Sequence, residues 1–141
     1  MSGSDAPRRI LAVDFGDRRT GLAASDYTGT IEVPLPPLVG LDDPDCAAEI
    51  RRIARERDTE VIVVGLPLAA TGEPTKRSRR TEAFVAVLQK DAPCEIATVD
   101  ESLTTDEAHA RLKAFGLKAA RRKKLADSVA AMIILERFRR R

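Results

Sequence analysis

Residues 60–65 read Glu-Val-Ile-Val-Val-Gly, apolar and β-branched on both alternating sets of positions. A strand of that kind presents neither face to water, so it belongs inside a sheet with helices packed above and below. That run alone excludes a one-sided antiparallel sheet. The chain around it must alternate strands with amphipathic helices, and its patterning does so.

Arg9 to Asp14 is a second apolar run (Ile10, Leu11, Ala12, Val13) that ends in an acid. Thr20 to Ser25, beyond a turn bounded by Gly16 and Gly21, reads as its hairpin partner. A third extended segment spans Ile31 to Leu38. Pro34, Pro36 and Pro37 place it at a sheet edge, because proline cannot donate to an interior ladder. Asp45 to Arg57 is helical, with Cys46, Ile50, Ile53 and Ala54 at helical spacing. A loop from Leu66 to Pro74 leads into a helix whose stripe is Phe84, Val87 and Leu88, and Glu95 to Asp100 is the last strand. Thr104 and Glu107 have capping-box spacing, so a helix starts there and runs through Ala108 and Leu112 towards Phe115 until Gly116 breaks it. A final helix covers Arg122 to Arg137. The order predicts an α/β fold with a mixed sheet of about five strands and helices on both faces.

With 141 residues, 43% of them hydrophobic, the chain closes one α/β core and is too short for two domains around a shared cleft. One domain over 1–141 is expected, with a disordered start at 1–8 and a basic tail at 138–141. No apolar run has the length of a signal-peptide core or a membrane span, which predicts a cytoplasmic protein with no membrane association. Cys46 and Cys94 stand far apart without a CxxC, which points away from a zinc site or a disulfide framework. The net charge of +2 conceals an asymmetry. Residues 1–110 hold 13 Lys/Arg against 20 Asp/Glu, a balance of −7, and residues 111–141 hold 11 against 2, a balance of +9. Such segregation suits a polyanionic partner, although a solvated basic helix gives the same pattern.

Acids at strand ends are where open α/β sheets place their sites. Asp14 closes the first strand and Asp100-Glu101 the last; if those strands run parallel and side by side, their carboxylates share one rim. Asp127 sits inside the apolar pattern of the last helix, sharing a face with Ala130, Ala131, Ile134 and Phe138. A carboxylate on an inward face is costly unless a cation or hydrogen bonds meet it. The other reading of Asp127 is a residue near the helix N-terminus that complements the dipole. Three acids on one rim, with a single histidine in the chain, would form an all-oxygen site suited to Mg²⁺ or Mn²⁺. Two such ions about 4 Å apart can activate a water and stabilise the leaving oxygen of a phosphodiester, with Asp14 bridging them and Glu101 and Asp127 each holding one. His109 flanks the apolar stripe and reads as a solvated helical residue.

Lys76, Arg77, Arg79 and Arg80 at one helix start, and Arg121, Arg122, Lys123 and Lys124 just before Asp127, set cations at helix N-termini, where free amides also favour anions. Arg18 and Arg19 in the hairpin turn are further candidates for backbone contacts. Such contacts position a nucleic acid without reading its sequence. One tyrosine, four phenylalanines and no tryptophan leave little for a base-stacking platform. Salt-sensitive, weakly sequence-specific binding of RNA or DNA is expected.

Four segments, LAVDFGDRRTGLAASD (Leu11 to Asp26), VVGLPL (Val63 to Leu68), DESLTTDEA (Asp100 to Ala108) and KKLADSVAAMIIL (Lys123 to Leu135), resemble in order the four motifs of the YqgF family. This family, also called RuvX, groups pre-16S ribosomal RNA nucleases with Holliday-junction-resolvase-like proteins. The resemblance covers nearly the whole chain. It implies a ribonuclease-H-like fold and divalent-metal nuclease activity on structured RNA or DNA. Maturation of the pre-16S rRNA 5′ end in ribosomal precursor particles comes first among the implied reactions, and branched-DNA resolution or repair second. It also implies an acidic triad: the first-strand aspartate on Asp14, the second acid on Glu101 with Asp100 as the alternate ligand, and the last-helix aspartate on Asp127. Ser102 stands where the family usually has arginine and Ala69 where it usually has asparagine, departures that touch substrate contacts more than metal binding.

A nucleic-acid-binding module with little cleavage is the alternative of a different class, and the presence of all three acids argues against it. Sugar kinases and actin-like ATPases of the same fold close a nucleotide between two such domains, whereas this chain holds one copy. A symmetric resolvase requires a homodimer; a trimming nuclease works as a monomer.

Overall fold

The computed structural model describes residues 8–26, 28, 31–101, 104–114, 116 and 119–140, with the backbone alone described at 104–106, 109, 119–125 and 127. Strands β1 (Ile10–Asp14), β2 (Arg19–Ser25) and β3 (Glu32–Val39) form an antiparallel meander. Helix α1 (Asp43–Glu56) then leads to β4 (Val61–Leu66) and α2 (Lys76–Gln89) to β5 (Glu95–Asp100), after which α3 (Thr104–Ala114) and α4 (Ala119–Arg140) follow. The sheet order is β3-β2-β1-β4-β5, and β1, β4 and β5 run parallel.

Side-chain alternation sorts the core into two layers. Leu11, Val13, Phe15, Leu22, Ala24, Ile62 and Val64 face α1 and α2, where they meet residues such as Ile50, Phe84 and Leu88. Ile10, Ala12, Val61 and Val63 face the opposite way, onto Ile134, Leu135 and Phe138 of α4. Helix α3 packs on α4, with Ala108 against Ala130 and Ile133. β4 is buried on both faces from Val61 to Gly65, as its composition requires, and proline-bearing β3 lies at the edge.

The starts of α1 and α4 differ from those expected, that of α2 agrees, and caps explain where α1 and α2 begin. α1 starts at Asp43 because Asp42 caps it, accepting from the Asp45 N–H at 2.9 Å, with Pro44 in the first turn. α2 starts at Lys76 because Thr75 Oγ1 accepts from the Ser78 N–H (3.0 Å) while Ser78 Oγ accepts from the Thr75 N–H (2.7 Å), a reciprocal pair built with serine. α4 starts three residues before Arg122 and continues through Arg140. Phe138 is buried and Arg139 lies 3.5 Å from Glu32 of β3, so residues 138–140 are helix where a tail was expected. The expected disordered start falls largely on 1–7, and the Thr104 side chain on 104, both outside the described residues. Glu107 binds Arg111 (3.0 Å) and Arg137 (3.3 Å), which ties α3 to α4. Gly116, just beyond α3, has φ +76°, the conformation that ends a helix. Among the described residues, no helix is long and apolar enough to cross a membrane.

Candidate active site

Asp14 ends β1 on the face of Ile10 and Ala12, the side covered by α4. Its partner on β2 is Gly21, and Gly65 follows Val64, the β4 partner of Val13, so it stands level with Asp14. Asp14 is therefore flanked on both neighbouring strands by positions without side chains. Glu101 fills the space over Gly65: a Cβ there would lie 2.9 Å from both Cβ and Cδ of Glu101 and 2.6 Å from Cδ1 of Ile134. Glu101 is only 4% exposed, and its Oε1 is shut off from solvent. Its N–H donates to the Leu66 carbonyl at 3.0 Å, which holds the residue after β5 against the end of β4. Asp14 and Glu101 thus occupy the same rim and the same face. Their strands are not side by side as expected, since β4 separates β1 from β5; the bare backbone of Gly65 is what lets Glu101 extend over the intervening strand.

The adjacent acid is placed differently. Ala97 and Val99 of β5 face α4 and Ile96 faces the opposite layer, so Asp100 falls on the side away from α4, and it is exposed. Its carbonyl accepts from Arg137 Nη1 at 3.1 Å. The Asp100-Glu101 pair is divided between the two faces of the sheet.

Helix α4 covers this face and reaches both edge strands: Ser128 Oγ donates to the Leu35 carbonyl of β3 (3.1 Å), Ile134 abuts Gly65 of β4, Arg137 reaches β5, and Arg139 returns to Glu32 of β3. Leu35, Leu22 and Val13 form one row across three strands, a single step from Asp14. The helical turn containing positions 127 and 128 therefore lies at the level of the acidic rim. Position 127 shares helical spacing with Ala130, Ala131 and Ile134, none more than 1% exposed. It lies eight residues into α4, over two turns from the start, so the N-terminal dipole reading of Asp127 does not hold. The side chains of Asp127, Arg121, Arg122, Lys123 and Lys124 lie outside the described residues. Among the described residues, no three His, Cys, Asp or Glu gather to hold a metal; Asp14 and Glu101 are two of the three acids expected to.

The α2 cations stand beside this rim because Thr75 Oγ1 donates to the Pro67 carbonyl at 2.7 Å, fixing the helix start near the end of β4. Lys76, Arg77 and Arg79 are exposed there, as are Arg18 and Arg19 in the β1–β2 turn. Gly16 permits that turn, since a Cβ would meet the Arg19 carbonyl at 2.5 Å. Arg80 differs from its neighbours. Its Nε lies 3.1 Å from Asp17, its two terminal nitrogens donate to both oxygens of Asp43 at 2.9 and 2.8 Å, and its Cζ lies 4.9 Å from the Phe15 ring centroid. The hydrogen bonds that the guanidinium donates to Asp43, then the charges of Asp43 and Asp17, push its pKa up against a slight desolvation. All four expected cations are therefore exposed, and Arg80 among them is engaged by Asp17 and Asp43. Gly65 and the Asp17–Arg80–Asp43 set were not singled out from sequence; the only hint was a glycine closing an otherwise β-branched strand.

A family model described as RuvX, Holliday junction resolvase, matches residues 8–140. The protein named "Putative pre-16S rRNA nuclease" in Chloroflexus aurantiacus is 37% identical over 129 residues, covering 92% of this chain and 84% of that one. Its namesake in Streptomyces coelicolor is 35% identical over 138 residues, covering 94% and 83%. Among solved structures, T. thermophilus RuvC in complex with a Holliday junction substrate aligns with TM-score 0.58 at 14% identity, over 94% of this chain and 95% of that one. The fowlpox virus Holliday junction resolvase aligns at 0.57 with 15% identity, over 92% and 97%. At such identities these two likenesses speak for the fold, which is ribonuclease-H-like. The matched span takes in Asp14, Gly65, Glu101 and Asp127 together, and on it the chain belongs to the RuvX family.

Proposed function

We propose that this chain is a divalent-metal-dependent nuclease that hydrolyses phosphodiester bonds in structured nucleic acid, its reaction being maturation of the 5′ end of pre-16S rRNA in cytoplasmic ribosomal precursor particles. The observation that carries the reading is the placement of Asp14 and Glu101 on one rim and one face, with only glycine backbone between their strands, under the helix that bears Asp127. Relatives that share over a third of its residues are named for that rRNA.

The donor set fits a hard cation. Carboxylate oxygens, with neither sulfur nor imidazole among the three acids, suit Mg²⁺ or Mn²⁺. A buried carboxylate such as Glu101 also favours a cation at hand. When bound, a pair of such ions lowers the pKa of the attacking water and stabilises the leaving oxygen. Asp14 is paired with Gly21 of β2 at the last rung of β1, and Glu101 is held by its backbone bond to Leu66, so the backbone that presents both acids is anchored before the reaction. The support for Glu101 over Asp100 is that Glu101 shares the α4 face with Asp14. Lys76, Arg77, Arg79, Arg18 and Arg19, together with Arg121, Arg122, Lys123 and Lys124, supply the charge that holds a phosphate backbone across the rim.

Incubation of the protein with end-labelled RNA carrying the 16S 5′ leader, single-stranded RNA, single-stranded DNA, duplex and a four-way junction, in Mn²⁺, Mg²⁺ or EDTA, tests the reading. Cleavage of the leader RNA with metal and none in EDTA is expected. Paired symmetric cuts in the junction alone would favour a dimeric resolvase, the activity in the family model's description. Binding with no cleavage of any substrate would leave a nucleic-acid-binding module instead.

A further inference from the structure

Three parts of the chain that are distant in sequence meet at Arg80: the turn after β1, through Phe15 and Asp17; the first residue of α1, Asp43; and α2 itself. The fork onto Asp43 is bidentate, and the guanidinium plane that makes it also lies over the Phe15 ring. Phe15 is stacked in turn on Phe84, one helical turn beyond Arg80, with centroids 4.2 Å apart and rings 11° from parallel. Phe15 follows Asp14 directly and points to the opposite face, so one peptide unit links the two side chains. A displaced Phe15 backbone shifts the end of β1 that carries Asp14, because Asp14↔Gly21 is the last rung of the β1–β2 ladder and nothing beyond it is paired to β2 in that ladder.

We propose that Arg80 is a positioning residue: forked onto Asp43, bonded to Asp17 and laid over Phe15, it fixes the strand end and turn that present Asp14, and it makes no contact with nucleic-acid phosphate. The proposal rests on the reading of Asp14 as a metal-binding acid. Lysine cannot take the place of Arg80, because an ammonium is a point charge and lacks the planar fork that serves two carboxylates and a ring at once. Asp43 is the informative partner, since it stands on α1 and carries the wrong sign to hold a phosphate.

The test compares wild type, Arg80→Lys and Asp43→Asn in three measurements: kcat and KM for Mn²⁺-dependent cleavage, the salt dependence of nucleic-acid binding, and the Mn²⁺ midpoint read by thermal shift without substrate. Both variants are expected to lose about tenfold or more in kcat and to need more Mn²⁺ for half-maximal stabilisation, with KM and the salt slope unchanged. A phosphate-contact role gives a different pattern. Arg80→Lys would then leave kcat alone, and Asp43→Asn, by releasing the guanidinium, would tighten binding; that result overturns the proposal. Wild-type kcat and Mn²⁺ midpoint in both variants overturn it as well and leave the nuclease reading standing. A wild-type protein that binds Mn²⁺ but cuts nothing removes the nuclease reading, and the shift in midpoint alone then decides the role of Arg80. Absence of Mn²⁺ binding in wild type overturns both.

Discussion

A methyl group at position 65 would lie 2.6 Å from Ile134 and 2.9 Å from two atoms of Glu101, so Gly65→Ala must displace either α4 or the carboxylate. Overpacking of this kind costs about 1–3 kcal/mol, and a displaced Glu101 no longer shares the rim with Asp14. Denaturant unfolding should read that loss, and Mn²⁺-dependent cleavage should fall by more than the fraction unfolded explains. Asp14 was legible in the sequence because an apolar run of strand length ends in it. Gly65 was not, since its role depends on which strand stands between β1 and β5 and on the residue that extends over it. The same limit applies to Arg80, whose charge was visible while its partners, Asp17 and Asp43, lie 63 and 37 positions away.

Among the elements, α4 positions the rim, and its register is set at the sheet edges. Ser128 anchors it to the Leu35 carbonyl, so Ser128→Ala should cost about 1 kcal/mol in thermal or chemical unfolding. At the other end of β3, burial and then the charge of Glu136 push the Glu32 carboxyl up, against the pull of Arg139, Arg111 and Arg140. The folded chain thus holds that proton at a pH where the unfolded chain has released it. Ionised Glu32 therefore costs stability at neutral pH, and the cost disappears as acid protonates it. Glu32→Gln should raise the melting temperature near neutral pH, with the gain shrinking as the pH approaches that of an ordinary carboxyl. The element pattern itself was readable where composition forced it: β4 on both faces, and β3 at the edge through its prolines. The start of α2 was readable from the loop that ends at Pro74, whereas the first turn of α1 was misjudged because the cap by Asp42, rather than apolar spacing, sets where that helix begins.

For the molecule as a whole, the fold sets exposed cations of α2 and of the β1–β2 turn beside the acidic rim, although both lie in the net-acidic part of the chain and not in the basic segment 111–141. If Arg77 holds a phosphate, Arg77→Ala should weaken binding about equally for all sequences and reduce the log–log salt slope by about one. The sequence also carried the family, through four motifs spread along nearly the whole chain. What it could not convey was how Asp14 and Glu101 come to share one face. That depends on strand order, on two glycines beside Asp14 and on the path of α4, all properties of the assembled sheet.

The central claim is that these acids support metal-dependent phosphodiester cleavage. Its most direct test is the single-turnover rate of Mn²⁺-dependent cleavage of labelled leader RNA by wild type, Asp14→Asn and Asp127→Asn, each confirmed folded by circular dichroism. A fall of about a hundredfold or more in both variants is predicted, and wild-type rates in both would contradict the account.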